Sequence, residues 1–389
     1  MPVSPNDRAE FDTIILGVGG MGAAACYELA RRGHRVLGLD QFSLVHDRGS
    51  SHGESRIIRK AYFEHPDYVP LLHRAYERWY ELEQATGRPL LRPTGLVLSG
   101  SAEGETICGA RLSARQHGLQ LQNFTAAQAR LRFPGLEFPT QHDVAFEPGA
   151  GTLLVDDCVQ AHVDEAIRHG ATLRGNEPII DWCSDGQTVS VRTSAREYVA
   201  RKLVITAGAW SNDCLTDIGL QLTILRKFVG WFPVRAGEYQ ATSGTPTYFF
   251  ELSGRTFYGF PSFDGATIKV AEHSGGEPVL DPIHVDRGCH LADLDGLRSF
   301  LKTYLPNAQP NLARHSVCLY TLTSDKHFVI DVHPCWKNVV FAAGFSGHGF
   351  KFCPVVGEIL ADLAENTKTS LPIEFLSLKR PDLKFQSSQ

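Results

Sequence analysis

Gly17, Gly19, Gly22 and Asp40 are the residues whose spacing most directly implies chemistry. The three glycines stand in Gly17-Val18-Gly19-Gly20-Met21-Gly22, directly after the apolar run Asp12-Thr13-Ile14-Ile15-Leu16 and before the helical pattern Ala23 to Arg32. A lone G-x-G-x-x-G run is weak evidence, but between a strand and a helix it acquires a physical meaning. Gly17 permits a tight turn, Gly19 lets a pyrophosphate reach the helix N-terminus, and Gly22 allows close helix packing. Arg35-Val36-Leu37-Gly38-Leu39-Asp40 reads as the next strand, so the opening is a βαβ unit. Asp40, followed by Gln41, is then placed to meet the ribose of a dinucleotide. This spacing does not separate a nicotinamide from a flavin dinucleotide.

The elements that must position such a site follow along the chain. Tyr68 to Thr86 and Asp156 to His169 have helical spacing, while Thr94 to Ser99 and Val144 to Leu154 read as short strands around Gly and Pro turns. Arg201 to Thr206 is a buried-strand pattern leading into Ala207-Gly208-Ala209-Trp210, where backbone could approach a ligand. From Val229 to about Lys269 apolar and polar residues alternate around turns such as Ser253-Gly254, as in an antiparallel sheet. Asn338 to Ala343 predicts one more buried strand, Gly344 to Gly349 a glycine-rich turn, and Pro354 to Glu365 a closing helix. Dinucleotide-lobe features stand at both ends of the chain, so the lobes are interleaved in sequence.

The bulk properties narrow the class. A chain of 389 residues exceeds the size at which one core stops growing, and two joined lobes are expected. A net charge of -5 gives no electrostatic reason to expect nucleic acid or an anionic membrane as partner. No apolar run reaches about 18 residues, and Met1 to Asp12 lacks the features of a secretory signal, so a cytoplasmic protein is expected. The Ser387-Ser388-Gln389 terminus is not a peroxisomal address. Nine scattered cysteines without a C-x-x-C pair indicate neither a disulfide framework nor a zinc site, and no metal is expected.

Four further segments occur in a fixed order: Gly49-Ser50-Ser51-His52-Gly53-Glu54-Ser55-Arg56-Ile57-Ile58-Arg59, Tyr258-Gly259-Phe260-Pro261, Cys318-Leu319-Tyr320-Thr321 and Gly344-Phe345-Ser346-Gly347-His348-Gly349-Phe350-Lys351. Together they resemble the monomeric sarcosine oxidase family, which includes N-methyltryptophan oxidases and peroxisomal pipecolate/sarcosine oxidases. The similarity runs from about Asp12 to about Glu365. The wording from Ser50 to Tyr62 is similar to the pipecolate branch, with Ser51, Glu54 and Ser55 standing where bacterial sarcosine oxidases usually carry His, Asp and Thr.

The resemblance implies FAD, carried as a thioether between its 8α-methyl and Cys318. It implies that Ser50, His52, Ser55 and Arg56 lie about the flavin, with Gly344, Gly347, Gly349 and Lys351 closing the cofactor site from the other end of the chain. Lys269 is then the cation beside flavin N5 that assists electron transfer to oxygen, and His273 a histidine of the substrate site. Arg59 and Lys351 are implied as the clamp for an amino-acid carboxylate, a planar fork and a point charge. Tyr258 and Tyr320 are implied as lining the substrate pocket, which Phe249 and Phe250 would reshape. The catalytic set that the resemblance implies is Lys269, His273, Arg56 and Tyr258. Without the resemblance, Arg56 and Arg59 read equally as two basic residues on an exposed helical turn, and Lys269 as a solvated charge.

These readings imply an α/β fold in which an FAD-binding, Rossmann-type, glutathione-reductase-like domain (residues 1–90, 150–225 and 320–389) is interleaved with an antiparallel-sheet substrate domain (residues 91–149 and 226–319). They imply a monomeric oxidase of a small secondary amino acid, sarcosine or another N-methyl amino acid, with O2 reduced to hydrogen peroxide. The alternatives are oxidation of L-pipecolate or L-proline, a flavin dehydrogenase using an acceptor other than oxygen, and a catalytically silent FAD-binding scaffold.

Overall fold

The computed structural model describes residues 9–235 and 237–385; the first eight residues and the Ser387-Ser388-Gln389 terminus read above lie outside them. The elements that reach the site are, in chain order, β1 (Phe11–Leu16), α1 (Gly20–Arg31), β2 (Val36–Leu39), β3 (Ser55–Ile58), β4 (Glu197–Ile205), β5 (Thr223–Pro233), β6 (Thr247–Leu252), β7 (Arg255–Phe260), β8 (Thr267–Glu272), β9 (Arg314–Leu322), β10 (Val339–Ala343) and α2 (Cys353–Asn366).

An eight-stranded sheet carries β1 at its centre, parallel to β2 on one side and β4 on the other, with β10 parallel to the end of β4. The strands β2 and β10 are buried throughout, because helices cover the sheet, and a strand buried on both faces needs an unbroken apolar run. Helices α1, α2 and Val155–Arg168 share one core with this sheet, in which Leu29, Ile359 and Val163 meet Ile15, Val204 and Val340. The chain thus enters the sheet near its beginning and returns to it near its end.

A nine-stranded sheet is built differently. β5 lies between β9 on one edge and β8 on the other, and the order continues through β7, β6 and Leu96–Gly100 to Asp143–Glu147 and Gln122–Thr125. The pairings of β5 with β8 and β9 are antiparallel, and the strand β6 joins Leu96–Gly100 in parallel. Helix Leu291–Tyr304 covers one face, with the Phe300 ring stacked on Phe257 at 4.6 Å. A third, small sheet pairs β3 with Gly151–Leu154, so the stretch read as 144–154 is two strands in different sheets, divided at Pro148-Gly149.

Register sets the site. Directly opposed residues on antiparallel strands share a face, as do residues two apart on one strand. Cys318 and Tyr320 on β9 therefore share a face with Lys227 and Leu225 on β5. On the opposite edge of β5, Lys269 of β8 faces Trp231. No helix among the described residues is long and apolar enough to cross a membrane.

Candidate active site

One continuous cavity runs from Gly17–Met21 and Leu39–Phe42, past Arg56 and Tyr320, to Arg59, Glu64, Phe249 and His273. At its first end the glycine turn is forced by geometry. Gly17 has φ +88°, and a Cβ on Gly22 would overlap the Gly17 carbonyl oxygen. Asp40, buried at the end of β2, accepts from the Val18 N–H and the Phe42 N–H, both at 2.9 Å, and so ties the turn to the second strand. Gln41 follows it on the cavity wall.

Helix α1 starts here with a glycine, Gly19, as its N-cap and without an acid in its first turn, which leaves its dipole and its first-turn N–H groups other than that of Gly20 for an external anion. Ser51 Oγ meets the Gly20 N–H at 3.2 Å. Farther along the wall, Trp210 Nε1 and Thr321 Oγ1 are buried with no hydrogen-bond partner among the described residues. Buried polar atoms of this kind carry a desolvation cost that a bound polar ligand removes.

In the middle, four residues implied by sequence stand just behind the wall formed by Ser50 and Arg56. Arg56 Nη2 is 2.8 Å from the Ser50 carbonyl and 3.5 Å from Cys318 Sγ. Burial would raise the Cys318 thiol, but His52, Arg56 and Lys269 together hold it down at about 6. A thiol so held is largely thiolate at neutral pH. His52 is buried, with Nε2 3.0 Å from the Gly49 carbonyl, and Ser50 Oγ donates to the Leu319 carbonyl at 2.5 Å, which fastens this loop to β9.

Lys269 reaches the same place from β8. Its ammonium donates to the Gly53 carbonyl (2.6 Å), the Ser55 carbonyl (3.0 Å) and Ser55 Oγ (3.2 Å). Burial, with Arg56 nearby, lowers it to about 7.

At the far end Arg59, which directly follows β3, is buried between aromatic faces, its guanidinium carbon 4.2 Å from the Tyr62 ring centroid and 3.9 Å from that of Phe63. The exposed helical turn that the Arg56–Arg59 spacing also allowed is therefore not what forms. Lys351, in the short helix Phe350–Phe352, brings a second cation 5.1 Å from the Tyr62 ring and donates to the His348 carbonyl at 2.6 Å. Burial and the neighbouring Arg59 lower it to about 7.

An aromatic cluster also lines this cavity. His273 Nδ1 and Tyr320 Oη are 3.2 Å apart, and Phe249 and Tyr258 flank the imidazole with ring centroids at 5.8 and 6.3 Å. Burial and the Lys227 charge depress His273 to about 3, so it is neutral at physiological pH. Burial raises the Tyr258 hydroxyl and carries Tyr320 well above its ordinary value. Gly344, Gly347 and Gly349 complete the wall beside Tyr320.

Against known families, residues 12–363 match DAO, described as FAD dependent oxidoreductase. The chain belongs to this family. It is 41% identical to a monomeric sarcosine oxidase of Bacillus sp. (strain NS-129), over 96% of this chain and 98% of that one. It is 42% identical to the monomeric sarcosine oxidase of Streptomyces avermitilis, over 95% and 97%. An N-methyl-L-tryptophan oxidase of Citrobacter koseri is 33% identical over 95% and 99%. Among solved structures, NikD, an unusual amino acid oxidase essential for nikkomycin biosynthesis, superposes with a TM-score of 0.84 at 25% identity, covering 97% of this chain and 99% of that one.

The residues present fit FAD, the family's cofactor. The glycine turn and the N-terminus of α1 suit a pyrophosphate, and the unpartnered Trp210 and Thr321 atoms lie where the cavity continues. The structure brings the site residues read from the sequence to this cavity or to the layer directly behind it, with one correction: Phe250, next to Phe249 on β6 and so on the other face of the strand, packs against Phe138 and Phe300 in the core and does not shape the pocket. It also adds residues the sequence reading missed. Glu64 and Phe63 line the far end, and Lys227 backs Tyr320. Glu64 lies outside any helix or strand, where no periodicity marks it, and its five-residue distance from Arg59 is its one sequence signal.

Proposed function

We propose that this protein is an FAD-dependent oxidase of small secondary amino acids, N-methyl amino acids foremost, that carries its flavin on Cys318. The observation that carries the reading is the presence, in one cavity, of two buried cations, Arg59 and Lys351, together with an uncharged group of His273, Tyr258 and Tyr320. Relatives named sarcosine and N-methyl-L-tryptophan oxidases support the same substrate class. The FAD-binding part is assigned to residues 1–90, 150–225 and 320–389, and the substrate part to residues 91–149 and 226–319.

The substrate carboxylate is held by Arg59 and Lys351, which fixes the amine end toward His273 and Tyr320. Deprotonation of that amine is required, since a free secondary ammonium has a pKa near 10. His273, at about 3, is too weak a base to hold the proton, and buried Tyr258 and Tyr320 keep their own. The cations Arg56, Arg59, Lys351 and Lys227 instead disfavour a further positive charge and select the neutral amine. The aromatic wall of Phe63, Phe249 and Tyr258 excludes water from the reacting carbon. FAD, when bound, supplies the two-electron acceptor and the route to dioxygen. Overall the amine loses two electrons and two protons to give an imine, and dioxygen leaves as hydrogen peroxide. Cys318, held as a thiolate, would form a single thioether to the flavin 8α-methyl carbon, one hydrogen of that methyl leaving as a proton and the electron pair passing through the flavin to dioxygen, and Lys269 would supply the buried positive charge on the oxygen side.

A panel of sarcosine, N-methyl-L-tryptophan, L-pipecolate, L-proline and N-methylethylamine, read as hydrogen peroxide formed under air, tests the proposal. One or more of the amino acids is oxidised, and the amine without a carboxylate is oxidised poorly. Equal rates for that amine and the best amino acid, or peroxide from none of them, overturn it.

A further inference from the structure

Lys227, on β5, is buried directly opposite Cys318, and its ammonium makes its hydrogen bonds to backbone carbonyls rather than to a carboxylate. It donates to three successive residues, His273 at 3.1 Å, Ser274 at 2.7 Å and Gly275 at 2.9 Å. The same ammonium lies 5.2 Å from the centre of the Tyr320 ring. Burying a charge is costly unless all its donors are satisfied, and here all three are spent on one turn.

The turn is shaped around this lysine. Gly276 takes φ +126°, a conformation that side chains rarely adopt, and a Cβ there would lie 3.1 Å from Lys227 Cδ and from the Arg226 carbonyl oxygen. From the other side β7 holds the turn by two contacts, the His273 N–H to the Thr256 carbonyl (2.7 Å) and the Thr256 N–H to Ser274 Oγ (3.0 Å). His273 is thus fixed between β7 and Lys227, and its imidazole faces a Tyr320 whose ring rests on the same ammonium.

We infer that Lys227 is a positioning residue for the amine end of the site: it ties the 273–275 turn and braces Tyr320, and so sets the distance between His273 and Tyr320. The inference rests on the oxidase reading for its consequence in turnover, but not for its structural content. An ammonium is needed because three diverging carbonyls require three donors on one atom, and because a cation attracts the Tyr320 ring face. A leucine or methionine of similar volume would leave three buried carbonyls without partners.

The experiment uses the FAD-loaded full chain with Lys227→Met, Lys227→Gln and Lys227→Arg. Hydrogen exchange followed by mass spectrometry should show amides of residues 270–280 exchanging at least about tenfold faster in the Met variant. Peptides covering residues 17–22 and 55–64 should keep their protection, and the Arg variant should resemble the parent. In turnover kcat falls at least about tenfold in the Met variant. The dissociation constant for propionate, read from perturbation of the FAD absorbance, stays within about twofold because the hydrogen bonds of Lys227 go to the 273–275 turn and not to Arg59 or Lys351.

Unchanged exchange at 270–280, or propionate affinity falling in step with kcat, overturns the inference. Should the Met variant not fold, the Gln variant loses the charge and one donor and must still show the faster exchange that Arg does not; equal behaviour of Gln, Arg and parent also overturns it. If the parent oxidises no amine, the oxidase reading fails, and the exchange result decides the role of Lys227 by itself.

Discussion

Arg59 Nη2 lies 2.7 and 2.6 Å from the two carboxylate oxygens of Glu64, so the cation assigned to the substrate carboxylate already holds a carboxylate of its own chain. Burial opposes the charge on Glu64, but Arg59, His348 and Lys351 hold it down at about 2. Glu64 therefore stays ionised over the working pH range and competes with an incoming anion for Arg59.

Two opposite outcomes follow from that competition. Glu64→Gln removes the competing charge, and propionate should bind about three- to tenfold more tightly to the FAD-loaded protein. Arg59→Met leaves an incoming carboxylate partly uncompensated in a dry pocket, at a cost of about 2 to 5 kcal/mol, or roughly 30-fold to several-thousand-fold in kcat/KM. Titration of the absorbance change and initial rates measure the two. Weaker propionate binding in Glu64→Gln would mean that Glu64 organises Arg59 rather than competing for it.

Covalent attachment at Cys318 has a direct readout. Acid precipitation should leave a yellow pellet, and Cys318→Ser should release all the flavin to the supernatant. With the thiol held at about 6, attachment to apoprotein should speed up as pH rises from 5 to 7 and then level off, since the thiolate is the reactive form. Cys26 and Cys353, whose thiols burial raises far above the ordinary value, offer no comparable nucleophile. Free flavin from the parent protein is the result against this assignment.

The parts of this molecule that could be read from the sequence are those where one physical requirement acts alone. Gly17, Gly22 and Asp40 answer to a turn that admits no side chain, and the helix read over Tyr68 to Thr86 forms with those bounds. The antiparallel run read from Val229 begins earlier, at Thr223, because most of β5 is buried on both faces and does not alternate. Lys227 lies in that unread part. Cys318 and Lys269 were separated from ordinary buried thiols and solvated lysines only by resemblance, since their meaning depends on strands far apart in sequence meeting through β5. Glu64 shows the same limit at the pocket, where a contact between two loop residues leaves no pattern.

In the proposed clamp, the position of Lys351 predicts a pH dependence of definite sign. Its value of about 7 lies below that of a free lysine, so the charged form is full only below 7 and is lost as pH rises through it. Propionate should accordingly bind more weakly at pH 8 than at pH 6, by up to about tenfold, as a charge-assisted contact is lost. Glu64 at about 2, His273 at about 3 and His348 at about 4 titrate outside that window. Lys351→Met should flatten the dependence while weakening binding at pH 6. A variant with the parent's slope would assign the titration elsewhere, with Lys269, also at about 7, the first candidate.

The role proposed for Lys269 predicts that the two halves of turnover can be separated. It spends its donors on the 53–55 turn rather than on the pocket of Arg59 and His273, and it does not line the cavity wall, so its removal leaves the amine end intact. A buried positive charge favours the transfer of negative charge to oxygen, and removing such a preorganised group typically costs about 100- to 1,000-fold. In Lys269→Met, oxygen consumption with a good substrate should fall by that order. Turnover with an artificial electron-accepting dye under nitrogen should stay within about threefold of the parent. The yellow acid pellet should persist, which shows that the variant still folds around its cofactor. If dye-linked and oxygen-linked rates fall together, Lys269 shapes the site as a whole; if neither falls, it has no part in the reaction.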